Sequence, residues 1–181
     1  MAKWTIDTTH ASATFKVQHL GISWVRGQVF GMKGEIEYDP TNIESTKFDG
    51  TLDVNTITSG NEMRDGHLKS ADFFDVANFP EIKFLSKSVS KVDETHAKVT
   101  GDLTIKDVTK EVVLDIEFHG VSQRPSAIDP EGKERDVAAF TAKTKVNREE
   151  FGLKWNMDLA NGKVLVGNEV ELTIELEGGK Q

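Results

Sequence analysis

The feature that most constrains the fold is a two-residue alternation of apolar and polar side chains that recurs along almost the whole chain. It is clearest near the end of the sequence, where Val170, Leu172, Ile174 and Leu176 alternate with Glu169, Glu171, Thr173 and Glu175. Successive side chains of a β-strand point to opposite faces, so this period predicts strands with one buried and one wet face. Similar alternation covers residues 13–19, 25–38, 48–54, 82–91, 99–105, 112–119 and 138–146. The chain is therefore predicted to be all-β, with about eight or nine strands.

Strands that are apolar on only one face must hide that face, and antiparallel strands do so by closing into a barrel or by stacking as two sheets. Residues 25–38 and 163–177 are predicted to form long strands, and glycines within the strand patterns permit the bends that closure requires. We therefore predict one domain over residues 1–181, an eight-stranded antiparallel β-barrel, with a sandwich as the alternative. The stretch from Arg64 to Pro80 lacks the alternation and predicts a short helical connection near residues 60–75.

Composition narrows the classes of partner. The 22 Lys and Arg residues are outnumbered by 30 Asp and Glu residues, and the net charge of -8 repels phosphate backbones and anionic membrane surfaces at long range, which argues against nucleic acid as a partner. The absence of cysteine excludes disulfides, zinc thiolates and thiol nucleophiles. No run approaches the roughly 18 apolar residues of a membrane span, so no integral membrane segment is predicted. The start of the sequence lacks a signal-like apolar region, and we expect a cytoplasmic protein, or a periplasmic or extracellular one if a signal segment has been removed.

The interior of an eight-stranded barrel is either filled by side chains or holds one small ligand. Several inward positions here are small, among them Gly34, Gly50, Gly101, Ala138 and Ala142. These positions favour an under-filled interior that accepts an apolar guest. Because glycine also bends strands, a filled barrel with a structural or interaction role stays open as an alternative.

The predicted lining of the lumen consists of the large apolar side chains on the inward faces of the strands: Phe15, Val17, Phe30, Met32, Ile36, Phe48, Leu52, Val54, Ile82, Phe84, Leu103, Leu114, Ile116 and Phe140. Three further rings, Phe73, Phe74 and Phe79, lie in the irregular connection and must also be buried. We expect this connection to cover one mouth of the barrel. Arg148 and Phe151, in a second short turn, are candidates for covering the other end.

The polar residues of the connection are candidates for catalytic residues, because an Asp near a His can orient the imidazole as a general base. Asp65 and His67 are two residues apart, however, and such residues do not face each other on a helix. Local hydrogen bonding is therefore the favoured role, and no catalytic residue is predicted. Two alternatives stay open: Arg64 and His67 meet the polar end of a ligand, or Asp65 and His67 serve an enzyme that acts on an isoprenoid lipid.

Metal binding is not predicted. The candidate sets are Glu62, Asp65 and His67, or His10 and His19. Neither set has the spacing of a ligand pair with a third partner.

Five stretches, in this order, resemble the YceI-like family of lipid-binding proteins over nearly the whole chain: WTIDTTHASATFKVQHLGISWVRGQVF, RDGHLKSADFFDVANFPEIKF, VTGDLTIKDVTKEVVLDIEF, NREEFGL and VGNEVELTIELE. The resemblance implies an eight-stranded lipocalin-like barrel with a helical connection. It also implies binding, sequestration or transport of a polyisoprenoid or similar long-chain amphiphile, such as an isoprenoid quinone or a fatty-acyl derivative. It implies no catalytic residue and no cofactor beyond the bound lipid, and it suggests a homodimer.

Overall fold

The computed structural model describes residues 1–39 and 41–181, and this part of the chain forms ten β-segments, one α-helix and three short 3₁₀ turns. The β-segments are β1 (Ala2–Ile6), β2 (Ser12–His19), β3 (Ser23–Val29), β4 (Lys33–Tyr38), β5 (Lys47–Asp53), β6 (Glu81–Lys91), β7 (His96–Ile105), β8 (Val108–Arg124), β9 (Arg135–Asn147) and β10 (Val166–Lys180). Helix α1 spans Glu62–Lys69, and the 3₁₀ turns are Ile43–Ser45, Val54–Thr56 and Arg148–Phe151. No helix within these ranges has the length and apolarity to span a bilayer.

The ten β-segments make eight strands, because two of the strands are bent in the middle. β1 and β2 follow one another along the same edge of β10, where Ile6 pairs with Gly178 and Ser12 with Glu175. β4 pairs with β1 and β3 pairs with β2, so these two segments also form one bent strand. The order is then continuous through β5 to β10, and the pairing of β10 with β1 closes the ring. The predicted eight-stranded antiparallel barrel is confirmed.

The bend between β3 and β4 interrupts the strand predicted over residues 25–38. Gly31 has a φ of 69°, in the left-handed region that favours glycine, and it ends the extended run of β3. The inward face moves from odd positions, such as Val29, to even positions, such as Met32 and Ile36, and all three are buried. Phe30 therefore points outward and is 40% exposed. The prediction that Phe30 faces the lumen was wrong because the alternation changes phase at this bend.

Helix α1 is fixed by its ends more than by packing. The side chain of Asn61 accepts a hydrogen bond from the Arg64 N–H at 2.9 Å, which caps the first turn. Ser70 ends the helix in an extended conformation. The following residues form a series of tight turns, including the Phe79 N–H to Asp75 carbonyl bond at 2.9 Å. The predicted helical connection is confirmed, although its helix is shorter than residues 60–75.

The two ends of the barrel are built differently. At the end that we call the closed end, aromatic rings fill the interior: Phe140 lies 5.6 Å from Phe48, 5.2 Å from Phe118 and 5.9 Å from Tyr38 between ring centroids. The opposite end, which we call the mouth, is covered by α1 and its following turns.

The turn Arg148–Phe151 also lies at the mouth. Phe151 and Leu153 pack in one cluster with Phe73 of the α1 connection. The expectation that this turn covers the end opposite to the α1 connection was therefore wrong. The long β8 and β9 strands bring its preceding residue, Asn147, back to the same end as α1.

Candidate functional site

The barrel encloses a cavity of about 220 Å³ between the aromatic closed end and the mouth. Its surface is almost entirely apolar. A cavity of roughly 150 Å³ lined by aliphatic and aromatic side chains is known to stay dry and to bind benzene. The lumen therefore has room for an apolar guest, which argues against the alternative of a fully packed structural barrel.

Fourteen of the seventeen residues predicted for the lining or the covering segment lie around this cavity: Phe15, Val17, Met32, Ile36, Phe48, Leu52, Phe73, Phe74, Ile82, Phe84, Leu103, Leu114, Ile116 and Phe140. The inward-facing strand residues meet in the lumen because each strand keeps its apolar face toward the barrel axis. Their contact with a ligand remains a prediction.

Phe30, Val54 and Phe79 lie outside the lining. Phe30 faces solvent because of the bend at Gly31. Val54 is fully buried but belongs to the 3₁₀ turn that follows β5, so the alternation of the strand no longer sets its direction. Phe79 is half-buried in the turn that returns the chain to β6. For these three residues the lining prediction was wrong.

The predicted set left out other residues that line the cavity: Ile6, Ala13, Val29, Ile57, Leu68, Ile105, Val146, Leu153, Val166, Val170, Leu172, Ile174 and Leu176. The alternation in β10 identified Val170 to Leu176 as an apolar face and would have supported their inclusion. Ile57, Leu68 and Leu153 belong to connections, where no period indicates the direction of a side chain.

Two glycines shape the lumen by accommodating aromatic rings. A Cβ atom on Gly27 would lie 2.2 Å from Cζ of Phe15, and one on Gly101 would lie 2.5 Å from Cζ of Phe84. Both rings therefore lie against the barrel wall in the space that a side chain would need. The small residue at Gly101 does not leave a void at its own position; it keeps the Phe84 ring away from the barrel axis.

The α1 connection covers the mouth with its apolar side chains directed inward. Leu68, Phe73 and Phe74 reach the cavity. The His67 ring stacks edge to face on Phe73 and on Trp155, with centroid distances of 5.0 and 4.6 Å. Its Nε2 atom lies 2.9 Å from a carboxylate oxygen of Asp72, on the solvent side. His67 thus lies on the cover of the mouth without lining the lumen.

Asp65 and Arg64 are engaged in local hydrogen bonds. Asp65 accepts hydrogen bonds from the Ser59 N–H at 2.7 Å, from the Ser59 hydroxyl and from the Thr58 hydroxyl at 2.9 Å. Burial raises the pKa of Asp65, but the bonds from Ser59 and Thr58 outweigh it and hold this pKa below its usual value. The Arg64 Nε atom donates to the Ser59 hydroxyl at 2.7 Å, on the exposed side of the connection.

The hydrogen-bond partners of Arg64, Asp65 and His67 bear on two alternatives: an acid–base pair of an enzyme, and contact with the polar end of a ligand. Asp65 and His67 bond to different groups and do not form an acid–base pair. Arg64 is held by Ser59 away from the lumen, so the structure does not bring it to a position where it meets a ligand in the cavity.

Arg148 borders the cavity at the mouth and is only 4% exposed. Its guanidinium donates to the backbone carbonyls of Leu153, Trp155, Val166 and Gly167 and to the side chain of Asn168. All five acceptors are neutral. Burial lowers the pKa of Arg148, yet a guanidinium starts above pKa 12 and stays charged. The mouth of an otherwise apolar lumen therefore contains a buried positive charge, held by the start of β10 and the chain after Phe151.

One cluster in the described part of the chain has the spacing of metal ligands, at the closed end. Ligand atoms of Asp7, His10 and Glu177 all lie within 4.8 Å of one another. The guanidinium of Arg124 donates to both Asp7 and Glu177 and so supplies the positive charge between them. This arrangement explains the cluster as a charge network that joins β8, β10 and the β1–β2 bend.

The fold and the site together define a small, closed antiparallel β-barrel whose enclosed apolar lumen is suited to a small apolar ligand. The chain belongs to the YceI-like family, since residues 4–178 match the YceI-like domain. It is 36% identical over 177 residues to a UPF0312 protein of Staphylococcus aureus strain USA300, covering 98% of this chain and 97% of that protein.

Solved structures agree with this assignment. The Campylobacter jejuni YceI protein is 30% identical, with a TM-score of 0.71 and coverage of 91% of this chain and 90% of that chain. A domain from Saccharophagus degradans, described as polyisoprenoid-binding and implicated in plant cell wall breakdown, superposes with a TM-score of 0.70 over the full length of both chains. At 12% identity, the second likeness shows the fold alone.

Proposed function

We propose that this protein binds and sequesters or transports a polyisoprenoid or a similar long-chain amphiphile, such as an isoprenoid quinone or a fatty-acyl derivative. The observation that carries the proposal is the enclosed, almost wholly apolar lumen of about 220 Å³. The family assignment and the fold shared with a polyisoprenoid-binding domain support it.

The energetics favour a chain-shaped apolar ligand. Burial of one CH₂ group contributes about 0.8 kcal/mol, so a five-carbon isoprene unit gains roughly 3 to 4 kcal/mol before ordering costs. For larger ligands, the binding free energy is about 0.3 kcal/mol per non-hydrogen atom. A lumen of this chemistry selects the width and length of the chain more than its head group, and chains of similar cross-section should compete for it.

The size of the cavity indicates how a long chain is held. Pockets for drug-sized ligands usually span roughly 300 to 1,000 Å³, whereas this lumen measures about 220 Å³. A long chain therefore extends through the mouth or displaces Phe73 and Phe74 from it. We place the polar end of the ligand at the mouth, beside His67 and the buried charge of Arg148.

A lumen-filling variant tests the proposal. Ala142 is 3% exposed and lines the cavity, so Ala142→Leu adds volume to the lumen. Lys143→Leu, on the exposed face of the same strand, adds the same side chain outside and is the matched control. We expect Ala142→Leu to lower the uptake of a fluorescent fatty acid and Lys143→Leu to leave it unchanged. Circular dichroism checks folding, because overpacking costs about 1 to 3 kcal/mol.

Native mass spectrometry after mild extraction gives an independent readout. Protein that neither retains a long-chain lipid nor takes up an added one would contradict the proposal. Equal uptake by Ala142→Leu and by the native chain would place the bound probe outside the lumen.

His67→Ala separates a carrier from the alternative of an enzyme that acts on an isoprenoid lipid. A carrier keeps most of its lipid capacity when this ring is removed, whereas an enzyme that uses His67 loses turnover. The separate partners of Asp65 and His67 favour the first outcome.

A further inference from the structure

The outer rim of the mouth has four exposed apolar side chains, which we call the rim patch: Ile22, Trp24, Met157 and Val164. Ile22 is 76% exposed, Met157 is 55% exposed and Trp24 is 42% exposed. Single exposed hydrophobic residues are normal on protein surfaces. These residues indicate an interaction site only if they form one continuous patch.

Backbone hydrogen bonds join the two segments that supply the rim patch. The Leu20 N–H donates to the Leu165 carbonyl at 2.9 Å, and the Leu165 N–H donates to the Met157 carbonyl at 2.9 Å. Gly21, at the tip of the β2–β3 turn, lies against the side chain of Lys163: a Cβ atom there would be 3.0 Å from Lys163 Cδ. The β2–β3 turn and the hairpin of residues 157–165 therefore form a single rim.

The rim is continuous with the wall of the lumen. Val17 in β2 and Val166 in β10 both line the cavity, and each lies a few residues before or after the rim in the chain. Any apolar surface that covers the rim patch is therefore next to the mouth.

The charge around the rim is opposite to that of the rest of the chain. The rim segments and their flanks, residues 16–26 and 154–165, contain four Lys and Arg residues and one acidic residue, Asp158, and Lys16 is paired with Glu171 at 3.2 Å. The Nζ atom of Lys16 lies 4.0 Å from the centroid of the Trp24 ring. The net charge of -8 repels anions at long range, but charges more than about 10 Å apart are largely screened at 0.1 M salt, so the Lys and Arg side chains of the rim act on an adjacent surface.

We propose that the rim patch docks the barrel, mouth first, on an anionic lipid bilayer. Tryptophan and aliphatic side chains partition into the bilayer interface, and flanking Lys and Arg side chains are attracted to anionic head groups. The inference rests on the proposed function, because a long-chain amphiphile in a barrel must be exchanged with a membrane. The bilayer is favoured over a second copy docked rim to rim, because a symmetric contact would bring the basic groups of the two rims together.

Vesicle flotation tests the docking without any lumen ligand. The probes are vesicles of phosphatidylcholine alone and of an equimolar mixture of phosphatidylcholine and phosphatidylglycerol. We expect binding to the mixed vesicles that weakens as salt is added. Lys163→Glu should weaken this binding by at least about fivefold, since one basic group near an anionic surface contributes about that factor. The double variant Ile22→Ser with Val164→Ser should weaken it by at least about tenfold, the lower bound for side chains that insert only partly into the interface.

Matched controls lie at the closed end of the barrel. Lys91→Glu repeats the charge change, and Val121→Ser with Ile128→Ser repeats the loss of two exposed apolar side chains, which are 52% and 73% exposed. Both controls should bind as the native chain does. Failure of the native chain to bind the mixed vesicles, or equal loss in rim and control variants, would overturn the inference.

Two further measurements separate bilayer docking from self-association and from ligand binding in the lumen. Self-association in sedimentation that Ile22→Ser abolishes would assign the rim patch to a second copy and reject the bilayer. Normal fatty-acid uptake in solution together with absent vesicle binding rejects the docking and leaves the proposed function intact.

Discussion

Replacing Arg148 by methionine should remove about 3 to 5 kcal/mol from the free energy of unfolding. Met has a similar length and no donors, so Arg148→Met leaves five acceptors without their partner. The bond to the Leu153 carbonyl is fully buried, and an unsatisfied buried acceptor costs about 1 to 3 kcal/mol. The other four are half-buried and regain water, so each contributes only about 0.5 kcal/mol.

Urea unfolding followed by tryptophan fluorescence measures this loss. With a slope near 2 kcal/mol per molar urea, the midpoint should fall by about 1.5 to 2.5 M. Arg64→Met is the matched control, because Arg64 also donates two side-chain bonds but is exposed, and its loss should cost about 0.5 kcal/mol or less. A midpoint for Arg148→Met within about 0.3 M of the native one would refute the role of this guanidinium as the link between the mouth segments.

Two further predictions concern the lumen wall and the closed end. Gly101→Ala should push the Phe84 ring toward the barrel axis, destabilise the fold by at least about 1 to 3 kcal/mol and reduce probe uptake; unchanged stability and uptake would contradict the described packing. Burial raises the pKa of Asp7, but hydrogen bonds from Thr9, His10 and Arg124 outweigh it and hold this pKa well below its usual value. Its stabilisation is therefore present above the unfolded pKa of about 3.9 and is lost as pH falls through the folded pKa. Asp7→Asn should lower the unfolding temperature at pH 7, and the unfolding temperature of the variant should decrease less than that of the native chain as the pH is lowered. The same dependence of unfolding temperature on pH in both proteins would count against this network.

The all-β class and much of the lumen lining follow from a single property of the sequence, whereas closure into a barrel was predicted from long strands and glycines. A period of two fixes which side of a strand is buried, and the strand faces in β7, β8 and β9 lie as the alternation predicts. The errors occur where the backbone breaks this period. Gly31 shifts the phase so that Phe30 leaves the interior, and the 3₁₀ turn at Val54 removes that side chain from the strand geometry.

The roles of individual polar residues were less predictable, because they depend on contacts between distant segments. Arg148 binds carbonyls up to 19 residues away, and Arg124 binds Asp7 across 117 residues. No local pattern distinguishes these buried arginines from the exposed Arg64. Asp65 is the opposite case: its partners Thr58 and Ser59 are near in sequence, and the local hydrogen bonding favoured from the sequence is what the structure contains.

The difference between the two ends of the barrel determines where a ligand enters. At the closed end, Arg124 joins β8 to β10 and to Asp7, and the aromatic rings fill the interior, so opening there would separate buried charges and break packing. At the mouth, the backbone bonds of the covering segment run largely within the segment, as between Phe74 and Leu68 or Phe79 and Asp75. Such a segment can move as a unit without exposing strand backbone. Entry at the mouth is therefore the less costly route, and it is the end at which the exposed apolar and basic residues of the rim lie.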